Sequence, residues 1–131
     1  LDAFKPTHAA QACWMTGNVR IRGMQQNPLK EELGAIRNGD IAAWKYLDFG
    51  SGANKMSIQV KSELGGEIIV RTDAKDGDIL GTFTIPANTD WKVYETTIKK
   101  TSGIHALWME YKGADSDENE LFRIERFIFT H

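Results

Sequence analysis

Acids, histidines and aromatic rings are the side chains in this sequence whose types and spacing bear on a ligand. Nucleophilic catalysis needs a serine, cysteine or threonine, a histidine and an orienting carboxylate that converge. His8 and His105 fall on strand-like segments and His131 ends the sequence, and no Gly-x-Ser-x-Gly elbow accompanies them. Glycoside hydrolysis needs two carboxylates facing across a cleft. The 18 acids lie mostly in turns or at solvated strand positions, which describes a surface better than a cleft. Asp115, Asp117, Glu118 and Glu120 match a calcium loop in charge alone, without the fixed turn glycine and closing bidentate acid such a loop requires. Phosphate loops, dinucleotide fingerprints and zinc-type Cys/His spacings are absent from the sequence.

The aromatic residues remain: Trp14, Trp44, Tyr46, Trp91, Tyr94, Trp108 and Tyr111. Most fall on strand-like segments, where packing is the ordinary role of a large ring. Trp91 departs from that pattern because it follows the polar turn Pro86-Ala87-Asn88-Thr89-Asp90. An indole there must be covered by the domain or by a ligand with an apolar face. A pyranose has such a face, and its hydroxyl rim needs only a few fixed polar groups.

The elements that position these residues have a period of two. Met56, Ile58 and Val60 alternate with Ser57, Gln59 and Lys61, and Phe83 and Ile85 with Thr82 and Thr84. Strands are expected near Ala9–Met15, Ile41–Phe49, Asn54–Glu63, Glu67–Asp73, Ile79–Ile85, Lys92–Lys100, Ile104–Tyr111 and Leu121–Phe129. Between them lie turn signals such as Gly65-Gly66, Asp76-Gly77-Asp78 and Ser102-Gly103. The rhythm predicts an all-β domain, a β-sandwich or jelly roll of two antiparallel sheets, spanning residues 1–131 with its terminal strands close together. Residues 27–33 read as a long loop over the sandwich edge, where Pro28 is also able to open one helical turn. The stretch 113–120 reads as an exposed, mobile loop, too acidic to pack. Cys13, in an apolar run, reads as a buried inert thiol.

A formal charge of -2 without a basic cluster argues against nucleic acid or an anionic membrane as partner. No apolar run is long enough to span a bilayer, and Leu1–Pro6 lacks the pattern of a signal peptide.

Asn38-Gly39-Asp40, the segments 48–53 and 65–68, Leu80-Gly81-Thr82, Asp90-Trp91, the segment 103–107 and the closing Leu121–Phe127, in this order and spacing, resemble the family 6 carbohydrate-binding modules. These are non-catalytic, galactose-binding-domain-like sandwiches attached to bacterial polysaccharide-degrading enzymes. The opening Leu1-Asp2-Ala3-Phe4 and 8–14 are similar to the junction that follows the propeller of family 43 glycoside hydrolases. The resemblance implies secretion, to the extracellular space or periplasm of a bacterium, and a poly- or oligosaccharide ligand, with xylan or arabinoxylan favoured. It also implies a cleft at one end of the sandwich that clamps a sugar between a tryptophan and a tyrosine, with an asparagine as polar anchor.

Trp91 matches the tryptophan, but Ala35 stands at the tyrosine position of Gly34-Ala35-Ile36 and Arg123 at the asparagine position. Asn38, Asp90 and Arg123 are the candidates for hydroxyl contacts around Trp91. Some members use instead the concave sheet face, for which Trp44, Tyr46 and Arg71 are candidates here. Residues i and i+2 share a side of a strand, so Trp44 and Tyr46 form a platform if they face outward and core if they face inward. No cofactor is required. The family's structural calcium is possible, yet the acids it uses become His8-Ala9-Ala10 and Glu125, leaving Glu125 as the one hard ligand of that set. Two rival readings stand beside sugar binding: a structural module packed on its parent catalytic domain with binding lost, and a small enzyme with an unrecognised carboxylate pair.

Overall fold

A computed structural model of the chain describes residues 1–131 except 26, 28 and 116–119. Its strands are β1 Thr7–His8, β2 Trp14–Met15, β3 Arg20–Gly23, β4 Glu31–Ile36, β5 Ile41–Asp48, β6 Ala53–Ser62, β7 Gly66–Thr72, β8 Ile79–Ile85, β9 Asn88–Thr101, β10 Ile104–Lys112 and β11 Phe122–Thr130. Two antiparallel sheets result. One runs β3-β4-β11-β6-β9 with β1 also paired to β11, and the other runs β2-β5-β10-β7-β8. The pairing of Thr7 with Phe127 brings the two ends of the chain together, and the Phe4 and His131 rings stack 4.5 Å apart.

Alternation decides which side chains fill the space between the sheets. In β6, Met56, Ile58 and Val60 are buried while Gln59 and Lys61 face away. In β10, Leu107, Met109 and Tyr111 point inward and Trp108 and Glu110 outward. The core collects Trp44, Phe49, Tyr111, Phe122, Phe127 and Phe129, with the Trp44 ring edge-on to Phe127 at 5.0 Å. Its interlocked rings hold both sheets rigid, and sites on their outer faces inherit that rigidity.

Several sequence expectations need correction. Residues 9–15 form a short 3-10 turn, Ala9–Gln11, followed by the two-residue β2, and Cys13 is exposed. The register puts β2 at the edge of its sheet, paired with β5 alone, which is why the apolar run is not enclosed. The segment read as a loop over the edge contributes its last residues to β4, which pairs with both β3 and β11. The helical turn suggested at Pro28 lies outside the described residues, as do residues 116–119 of the acidic stretch. Glu120, at the end of that stretch, packs against Arg22 and Arg123 instead of standing in solvent. Trp91 lies within β9, not in a turn, because pairing with β6 begins at Asn88.

Candidate functional site

Two surfaces bring candidate residues together. The first is at the end of the six-stranded sheet. Arg123 on β11 pairs with Lys61 on β6, and a register shift between Val60–Lys92 and Ser62–Asn88 leaves Lys61 opposite residues 89–91 of β9. Trp91, Lys61 and Arg123 therefore form neighbouring columns. The Arg123 guanidinium stands over the Trp91 ring, 5.7 Å from its centroid, a cation–π contact that occupies one face of the indole.

Arg123 is held there by Glu32, a fully buried carboxylate. Glu32 accepts from Arg123 Nε at 2.8 Å and Nη2 at 2.9 Å, and from Arg22 Nε at 3.0 Å. Glu120 closes the network by accepting from Arg22 Nη2 at 2.6 Å and from the Ala35 N–H at 2.8 Å. Gly34 leaves room for this arrangement, since a Cβ there would sit 2.6 Å from the Arg22 guanidinium carbon and displace it from its partners. For Arg123 the bond to Glu32 raises the pKa and burial only partly opposes it; for Arg22 burial lowers the pKa and the bonds and charges of Glu120 and Glu32 reverse that. Both guanidiniums end above their ordinary value.

Arg22, Ala35, Lys61, Glu63, Glu120 and Arg123 belong to the lining of a cavity of about 560 Å³ at this end of the sheet. Trp91 is not part of its wall. Of the residues expected to accompany Trp91, only Arg123 belongs to the cavity. Asn38 is exposed and accepts from the Gly113 N–H at 3.1 Å, which ties two turns together. Asp90 is exposed, and its N–H donates to Asn88 Oδ1.

The second surface is the outer face of the five-stranded sheet. Trp14 on β2, Ala43 on β5, Trp108 on β10 and Arg71 on β7 occupy one row across four strands. Ala43 is small, so the two indoles close over it, 5.5 Å apart and inclined at 49°, and leave it fully buried. Trp14 is 45% exposed and Trp108 half-buried. Lys45 Nζ lies 5.7 Å from the centroid of the Trp108 ring. Arg71 donates from Nη1 to the Gly77 carbonyl at 3.0 Å and pairs with Glu110 at 3.5 Å. Trp108 Nε1 and Arg71 Nε, on adjacent strands, are buried donors without a partner among the described residues; Trp91 Nε1 is another. Most buried donors are paired, so two neighbouring unmet ones mark this surface.

Trp44 leaves the candidate set. It is fully buried and donates from Nε1 to the Ala9 carbonyl at 3.2 Å. Tyr46, 58% exposed, lies on the opposite side. Between the pairs Leu107–Trp44 and His105–Leu47, Lys45 and Tyr46 together oppose Ala106, a bulge that breaks the rule placing i and i+2 on one side. Trp14, Trp108, Lys45 and Glu110 were missed by sequence reasoning. The signal for Trp108 was present: the charged Glu110 and Lys112, two and four residues on, belong on the outer side of the strand, and their phase fixes that of Trp108.

The place of the family's calcium is a cavity of about 390 Å³ lined by His8, Ala10, Lys30, Glu31 and Glu125 among others. Glu125 is 5% exposed, and the Lys30 ammonium lies 3.9 Å from its carboxylate. A positive charge beside the principal acid competes with a divalent cation, and no group of three His, Cys, Asp or Glu side chains that could hold a metal occurs among the described residues. The residues present do not fit calcium. No helix among the described residues is long and apolar enough to cross a membrane.

Comparison with known proteins identifies what this arrangement is similar to. The sequence profile described as "Carbohydrate binding module (family 6)" matches residues 8–131. The endo-1,4-beta-xylanase A of Thermoclostridium stercorarium is 32% identical over 93 residues, covering 69% of this chain and 18% of that protein. The arabinoxylan arabinofuranohydrolase of Bacillus subtilis (strain 168) is 34% identical over 100 residues, covering 73% of this chain and 19% of that protein. The chain thus spans less than a fifth of the length of these curated relatives. The crystal structure of a glycoside hydrolase family 43 arabinoxylan arabinofuranohydrolase from Bacillus subtilis, in complex with cellotetraose, superposes with a TM-score of 0.90 at 28% identity, over 100% of this chain and 28% of that one.

Proposed function

The chain belongs to family 6 of the carbohydrate-binding modules, non-catalytic domains found as accessories of glycoside hydrolases, and from that premise we propose that it binds xylan-type polysaccharide on the outer face of the five-stranded sheet. Trp14 and Trp108 form the stacking shelf, and Arg71, Glu110 and Lys45 supply the polar contacts; Tyr46 extends the exposed aromatic surface of β5. The observation that carries this reading is the pair of converging indoles over Ala43, with unmet donors of Trp108 and Arg71 beside it. Support for xylan comes from the names of the relatives, a xylanase and an arabinoxylan arabinofuranohydrolase. Residues 1–131 act as one unit of a longer, secreted hydrolase and hold its catalytic domain near the substrate, which raises effective concentration without chemistry of their own.

Titration calorimetry with xylohexaose, on the intact chain and on Trp108→Ala and Trp91→Ala, tests the site. Loss of binding in Trp108→Ala with retention in Trp91→Ala is expected. The reverse pattern moves the ligand to the Trp91 ring at the end of the six-stranded sheet and discards the shelf.

The rival reading, a module that only packs on its parent enzyme, draws on the covered face of Trp91. It predicts no retardation of the wild-type chain in any xylan-containing gel. The Lys30 ammonium beside Glu125 makes the domain independent of calcium. Melting temperature is expected to stay unchanged on adding EDTA or calcium, and a calcium-dependent rise refutes that assignment.

A further inference from the structure

The cavity at the end of the six-stranded sheet has donors left over after its ion pairs are formed. Both oxygens of Glu32 are occupied, Oε1 by Arg123 and Oε2 by Arg22 and Arg123. Glu120 Oε2 receives Arg22 and the Ala35 N–H, while Oε1 faces both arginines. Left for an occupant are the Nη1 groups of Arg22 and Arg123 and the Lys61 ammonium, for which no hydrogen bond or ion pair occurs among the described residues. Glu63 stands exposed at the rim, outside this donor group.

This chemistry suits one class of ligand. A neutral sugar finds no open indole here, because Arg123 covers Trp91 and Ala35 supplies no second ring. Its hydroxyls also carry hydrogens, and the carboxylates of Glu32 and Glu120 that would receive them are already engaged, which leaves only Glu63, outside the donor group, to accept among the lining carboxylates. A carboxylate only accepts, and guanidinium and ammonium groups bind it through charge-assisted hydrogen bonds. The paired glutamates hold both guanidiniums in place before any ligand arrives, so little is lost in ordering them.

The geometry points to an acidic saccharide: the cavity receives the carboxylate of a uronic acid carried by the polysaccharide, held by Nη1 of Arg22 and Arg123 and by Lys61. This inference rests on the carbohydrate-binding reading but uses a surface separate from Trp14 and Trp108. A sulfate ester offers the same acceptor-only chemistry, and the test separates the two sources.

Titration calorimetry of the intact chain at low salt uses xylotetraose bearing one glucuronic acid, the same oligosaccharide with its carboxyl reduced to an alcohol, and a sulfated galactan oligosaccharide. The acid is expected to bind about tenfold more tightly than its reduced form, an advantage that shrinks as salt rises. Lys61→Gln removes most of that advantage, Lys61→Arg keeps it, and neither changes affinity for the reduced oligosaccharide. Equal affinity for acid and reduced forms overturns the inference, as does an acid preference that survives Lys61→Gln. Tighter binding of the sulfated ligand than of the uronate overturns the carboxylate assignment. Affinity of the reduced oligosaccharide for Trp108→Ala reports on the shelf alone, so failure of one reading is distinguishable from failure of the other.

Discussion

Trp91 and Trp108 are both half-buried indoles whose Nε1 has no partner among the described residues, yet their surroundings differ. Two columns from Trp91, beyond Lys61, stands Arg123, fixed over the ring by a carboxylate that never meets water. Beside Trp108 the next column carries Ala43, and the space above it is filled by a second indole that remains 45% exposed. The difference teaches that an aromatic binding surface is set by the cross-strand neighbour as much as by the ring. A charged neighbour anchored from below covers the ring, whereas a methyl group lets two rings meet.

The strongest test of the contrast is removal of the anchor. Arg123→Ala leaves Glu32 fully buried with Arg22 as its remaining charge partner, and should lower unfolding free energy by about 3–5 kcal/mol in urea titration. A loss below about 1 kcal/mol would mean that the network is not structural and that the cover over Trp91 is loose.

Next comes the shelf itself. Trp108→Ala should weaken xylo-oligosaccharide binding about tenfold or more, while Trp91→Ala changes it less than about twofold. Similar losses in both variants would erase the distinction between the two indoles.

The footing of the shelf is readable from pH. Tyr111, on the inward side of β10 next to Glu110, is fully buried, and burial, aided by the charge of Asp40, raises its phenol well above the ordinary range. Above about pH 10 the unfolded chain releases this proton while the folded chain keeps it, so stability falls as pH rises, by at most about 1.4 kcal/mol per unit from this group. In Tyr111→Phe that alkaline decline should be shallower, as measured by urea midpoints from pH 9 to 11. An unchanged slope would remove Tyr111 as its source.

The smallest effect concerns the cavity wall. Ala35 has φ +57°, a left-handed conformation that costs a residue with a Cβ about 1–2 kcal/mol. Ala35→Gly should therefore raise stability by about 0.5–1 kcal/mol after the flexibility of glycine is counted. A neutral or negative change would show that the Glu120 bond to the Ala35 N–H depends on the restricted backbone.

Much of the fold was legible because half-buried strands write their period into the sequence. The strands around 54–63, 79–85 and 121–129 were placed within a few residues of their positions, and the two-sheet sandwich followed from their spacing. β3 and β4 were not legible: Arg20-Ile21-Arg22 and Glu31-Glu32 look solvated, and nothing local says that Glu32 is buried by arginines from two other strands. The platform was half legible. Glu110 gave the phase of Trp108, but the bulge at Lys45 and Tyr46 sent Trp44 inward and Tyr46 outward against the two-residue rule.

Sequence alone determined the all-β class, the aromatic inventory and the family resemblance, since period, turn residues and motif order are properties of a one-dimensional string. Tertiary structure decided which rings are open. Openness depends on side chains one or two strands away, and the contacts that set it, 32 with 123 or 14 with 108, join residues about ninety positions apart along the chain.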